Sequence, residues 1–119
     1  MLNSQALEKL GIDANEGLAY CADDPEFYEE MLEEYRAEGR VKLDELRRFF
    51  ASHDWKNYAI RAHSVKSTSK MIGAKALSEK ARELEMAGKA EDEQAIAALH
   101  EPFACEFGAL LDQLDALLG

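Results

Sequence analysis

Apolar residues recur every three or four positions along four stretches of this chain, the spacing that lines one face of an α-helix. Tyr28, Leu32, Tyr35, Gly39, Leu43, Leu46 and Phe50 make the first stripe, and Trp55, Tyr58, Ala62, Val65, Ser69 and Ile72 the second. Leu77, Ala81 and Leu84 drive a third, and Ile96, Leu99, Phe103, Phe107, Leu110, Leu114 and Leu117 a fourth. No stretch alternates as a strand does. Helix boundaries fall between the stripes. Asp24-Pro25 reads as an N-cap followed by proline at the first helical position, and Asp54 as the cap of the second long helix, which ends at Gly73. The third stops near Gly88 and the fourth follows the acidic turn Glu91-Asp92-Glu93. Pro102 lies inside the last stripe without shifting its phase, which predicts a kink and not a break. Gly39, inside the first stripe, predicts either a close approach of two helices or a break in the first. Ahead of these, Asn3–Leu10 forms a short segment, and Asp13 with Glu16 forms a capping box for another that runs to about Ala22. The pattern predicts an all-α fold, an antiparallel four-helix bundle with one or two short N-terminal helices, as a single domain over residues 1–119.

The second stripe fixes what the opposite face carries. His63 lies roughly 140° from the centre of that stripe, so it points to water. Lys66, Ser67 and Lys70 follow on the same outward face and Ala59 precedes it, leaving small residues and two cations around one imidazole. Ile60 and Met71 flank it at about 60–80°, either as exposed apolar residues of the kind a transient interface uses or as side chains partly buried against a neighbouring helix. A free imidazole is mainly neutral at pH 7 and offers a ring nitrogen that can take a phosphoryl group.

Charge sharpens this picture. The chain carries −10, which argues against nucleic acid and anionic membrane as partners. Residues 55–80 hold six bases against the single acid Glu79, a local +5 that leaves −15 on the remainder. A basic patch on an acidic body attracts an acidic pocket or a phosphoryl group. Cys21 and Cys105 fit no pairing or metal motif and read as buried small hydrophobes in a reducing cytoplasm. No apolar run approaches the ~20 residues of a membrane span, and the first residues, Met1 and Leu2 among them, lack the features of a signal peptide. No phosphate-cradling glycine loop occurs, so the chain is not expected to phosphorylate itself from ATP. No zinc or di-iron spacing occurs, and no cofactor of its own is expected. His53 and His100 read as surface or capping residues.

The run His63-Ser64-Val65-Lys66-Ser67-Thr68-Ser69, followed by Gly73-Ala74, Leu77-Ser78, Ala81 and Leu84-Glu85, resembles the histidine-containing phosphotransfer (HPt) domains of multistep two-component signalling. Gly11-Ile12-Asp13, Gly17-Leu18 and Asp24 through Tyr35 extend the likeness upstream, to roughly residues 11–118. The resemblance implies a phosphorelay intermediate, a cytoplasmic phosphoprotein and carrier rather than an enzyme with an ATP site. His63 would accept phosphate on Nε2 from a receiver-domain aspartyl-phosphate and pass it to the aspartate of another response regulator. It further implies that Lys66 neutralises phosphoryl charge and that Ile60, Ser64, Ser67, Lys70 and Met71 form the docking face. Partners would be receiver domains of hybrid histidine kinases and response regulators, which supply Mg²⁺, and the chain would act as a monomer. Ser67 stands where the family usually has glycine. That departure supports a second reading, a binding-only bundle that docks a receiver or kinase without phosphotransfer.

Overall fold

Three turns of the same construction set the architecture of the computed structural model, which describes residues 3–119. Met1 and Leu2, part of the predicted single-domain span and of the reading of the N-terminus, lie outside the described residues. Helix α3 (Pro25–Ala51) is joined to α4 (Trp55–Met71), α4 to α5 (Lys75–Lys89), and α5 to α6 (Glu93–Leu118), each through three residues. In each turn the middle residue, His53, Gly73 or Glu91, adopts a left-handed backbone. The next amide then reaches back to close the helix: Asp54 N to Phe49 O, Ala74 N to Ser69 O and Asp92 N to Ala87 O, at 2.8–3.0 Å. Asp54 and Asp92 go on to cap the following helix with their side chains. So short a connection leaves the chain no course but to reverse, and α3, α4, α5 and α6 pack in a ring as an antiparallel four-helix bundle. Among the described residues there is no strand.

The predicted stripes are the core. Tyr28, Leu32, Leu43, Tyr58, Val65, Leu84, Phe107 and Leu114 are all buried. Gly39 lets α3 run unbroken against α6, since a side chain there would collide with Leu111. Helix α6 also continues through the exposed Pro102. Helices α1 (Ser4–Lys9) and α2 (Ala14–Tyr20) close one end. Asp13 N donates to Gly73 O at 2.9 Å, and Gly73, at φ 92°, has no room for a Cβ beside the Asp13 carbonyl. Tyr28 Oη donates to Ile72 O at 2.8 Å from beneath Gly17. The N-terminal segment is thereby bolted to the turn that ends α4. Asp13 caps α2 through Asn15 N and Glu16 N, but its own amide goes to Gly73 and not to Glu16, so the reciprocal half of the capping box is replaced by a tertiary bond.

Three expectations are corrected. Cys21 is buried, but Cys105 is exposed, because its neighbours Phe103, Ala104 and Phe107 take the inward face of α6. His100 is not a surface residue. It continues the phase Ile96, His100, Phe103, lies buried with its ring stacked 3.9 Å from Phe50, and shares a 2.8 Å hydrogen bond with Tyr58 Oη. Ala59 is not on the wet face, since Gly88 of α5 packs directly on it. No helix among the described residues is long and apolar enough to cross a membrane.

Candidate functional site

The contact between Ala59 and Gly88 shapes the surroundings of His63. With no side chain on Gly88, α5 comes close enough to slide Glu85 under the α4 histidine. His63 remains 57% exposed, while the Glu85 side chain is only 5% exposed. Glu85 Oε2 lies 2.8 Å from His63 Nδ1 and 3.0 Å from Lys89 Nζ, and Oε1 lies 2.7 Å from Lys66 Nζ. Burial pushes the Glu85 carboxyl upward, but the hydrogen bonds from Lys66, Lys89 and His63 outweigh it and hold the group down at about 2. Glu85 is therefore ionised at neutral pH, and an ionised carboxylate can only accept. Nδ1 must carry the proton of that bond. In the neutral ring, Nε2 is then left with its lone pair on the solvent side.

Two clefts meet at this imidazole. One, about 650 Å³, runs between α4 and α5 past Ile60, Ala59 and Gly88 and is bordered by Lys56 and Lys89. The other, about 490 Å³, lies on the opposite side among Lys66, Ser67, Lys70, Lys75 and Arg82. Ser67 and Lys70 are exposed in it, as the sequence suggests. Lys66 is less free than expected: it is 27% exposed and seated on Glu85. Ser64 is half-buried, with its carbonyl taken by Thr68 Oγ1. Ile60 is exposed beside the ring, whereas Met71, although exposed, stands eight residues on, about 12 Å along the axis, and borders neither cleft.

The basic patch is largely matched once the chain folds. Arg61 pairs with Glu45 of α3, Lys75 with Glu16 of α2 and Lys80 with Glu106 of α6, in addition to Lys66 on Glu85. Among the described residues, Lys56 and Lys70 of that segment have no carboxylate within 4.0 Å. The sequence reading missed Glu85 as a partner of His63, and Lys89 and Lys56 as neighbours. The signal for Glu85 was the run Ala81, Glu85, Gly88, a carboxylate between two small residues at helical spacing. Among the described residues no group of three or more His, Cys, Asp or Glu side chains could hold a metal ion.

The family model described as Hpt domain matches residues 30–118, which contain all four bundle helices except the first turns of α3. Comparison with curated proteins and with solved structures gives no match. The matched span covers about three quarters of the chain, and the all-helical bundle agrees with it. This chain belongs to the Hpt domain family, the phosphotransfer-capable, histidine-containing modules of two-component signalling.

Proposed function

We propose that His63 is the phospho-accepting residue and that the protein relays a phosphoryl group between receiver domains. The hydrogen bond from His63 Nδ1 to the ionised Glu85 supports this most strongly, because it fixes the tautomer whose Nε2 is free to attack. In the forward step Nε2 forms a bond to phosphorus as the acyl phosphate's P–O bond breaks, and the aspartate leaves as a carboxylate. The ring, still protonated at Nδ1, becomes cationic, and Glu85 beneath it balances that charge. Transfer onward is the reverse step toward another receiver's aspartate. Phosphoryl transfer of this kind depends on position and charge rather than covalent help. Mg²⁺ and the acidic pocket come from the receiver. Lys66 acts from its seat on Glu85, and Ile60, Ser64, Ser67 and Lys70 provide the docking face, with Met71 at its far margin. The protein works in the cytoplasm as a monomer.

The test is direct. A phosphorylated receiver domain with Mg²⁺ labels the protein, ATP alone does not, and the label is acid-labile and alkali-stable. It disappears in His63→Gln. Label retained in that variant overturns the assignment. Receiver binding with no transfer establishes the binding-only reading instead.

A further inference from the structure

Helix α2 precedes the span that the family model matches, yet it forms one wall of the cleft beside His63. Its burial pattern explains how. Ala14, Gly17 and Cys21 are buried at helical spacing against the bundle. Glu16 and Tyr20, four residues apart and so neighbours on one face, are turned to the cleft that holds Lys66, Ser67 and Lys70. The segment is held firmly, by Asp13 N on Gly73 O and by the seat of Gly17 on Tyr28. Glu16 is engaged with Lys75 at 3.7 Å. Tyr20 is different. It is 51% exposed, and among the described residues its hydroxyl has no hydrogen-bond partner and its ring no aromatic neighbour.

We infer that Tyr20 is a specificity residue: it contacts the docked receiver domain and sets its affinity without touching the phosphoryl group. The inference rests on the reading of His63 as the phospho-acceptor. The occupant is argued from charge. Around this cleft Glu85, Glu16 and Glu79 pair with Lys66, Lys75 and Arg82, which leaves Lys70 unmatched among the described residues, on a protein whose net charge is −10. A locally positive hollow on an acidic body complements a partner whose reacting pocket must itself be acidic to hold Mg²⁺. A rigidly mounted tyrosine at the rim of such a hollow provides large contact area at little entropic cost, which is why tyrosine is enriched among residues that dominate interfaces. Because Tyr20 enters from outside the four-helix bundle, it can change which receiver binds while the histidine and its carboxylate stay as they are.

The experiment titrates a phosphorylated receiver domain against the full chain in single-turnover transfer, for wild type, Tyr20→Ala and Tyr20→Phe. Tyr20→Ala raises the half-saturating receiver concentration on the order of tenfold and leaves the limiting rate within about twofold. Tyr20→Phe restores most of the affinity. A half-saturating concentration unchanged in Tyr20→Ala overturns the inference, as does a fall confined to the limiting rate. Calorimetric binding of the unphosphorylated receiver to wild type and to Tyr20→Ala gives a second reading that needs no transfer. If wild type accepts no phosphate, the assignment of His63 has failed, and the calorimetry still decides Tyr20: weaker binding of the alanine variant supports the contact, equal binding refutes it.

Discussion

Replacing Glu85 by glutamine keeps the shape of the side chain and removes the one negative charge that His63, Lys66 and Lys89 share. The Glu85 carboxyl is lowered from 4.5 to about 2, which corresponds to about 3 kcal/mol of stabilisation at neutral pH. Lys89 and His63 are 69% and 57% exposed and regain water when the charge is removed, so about 2 kcal/mol is the expected loss. For a domain of this size that lowers Tm by about 6–12 °C. The sign of the pH dependence follows from the depressed carboxyl. Its stabilisation is complete above about pH 4.5 and is lost as pH falls toward 2, so wild type should lose this contribution on acidification. Glu85→Gln lacks it at every pH, and the two proteins should converge in stability near pH 2–3. Thermal melts followed by circular dichroism at pH 7, 5 and 3 measure both effects. Transfer should fall as well, by on the order of tenfold or more. A glutamine amide can donate to Nδ1 and so move the ring proton to Nε2, where it blocks attack. A Glu85→Gln protein as stable as wild type at pH 7, with the same acid slope, would refute the account of this network.

Other substitutions separate position from charge. Lys66→Ala should slow transfer by about tenfold to a hundredfold and cost roughly 1 kcal/mol of stability, more than an ordinary surface lysine, because its partner is buried; stopped-flow transfer and melts check both. Ser67→Gly should leave transfer equal or faster and destabilise α4 by about 0.5–1 kcal/mol, while Ser67→Leu should block docking from one turn beyond His63. Receiver binding untouched by leucine would move the docking face elsewhere. Burial holds His100 below its ordinary value, against a smaller upward pull from Glu101 and with a downward one from Arg47. The unfolded chain therefore binds the proton more readily, and stability should begin to fall as pH drops through about 6.5, a component absent from His100→Gln.

The residues that repeat with helical period were legible because burial of one face is a local property of the sequence. The stripes of α3, α4 and α6 and the close approach at Gly39 follow from it, while the caps Asp24 and Asp54 follow from a side-chain oxygen that can accept from the first free amides of a helix. What escaped depends on which helix lies opposite. Glu85 is an unremarkable acid in α5 until Gly88 seats on Ala59 and brings it beneath His63. The positive charge counted along residues 55–80 overlooked Glu16, Glu45 and Glu106, which three other helices deliver to it. His100 was misjudged for another reason. Its position fits the α6 stripe, but a polar side chain there becomes acceptable only with Tyr58 Oη as partner and Phe50 as a stacking surface.

In the proposed relay Glu85 holds the His63 proton on Nδ1 and leaves Nε2 to carry phosphate. Phosphorus–nitrogen correlation in the nuclear magnetic resonance spectrum of the ¹⁵N-labelled protein, after phosphorylation by a receiver domain, tests it most directly. One phosphoryl group is expected, coupled to Nε2 of His63, with Nδ1 still bearing its proton. Phosphate on Nδ1, or on any residue other than His63, would contradict it.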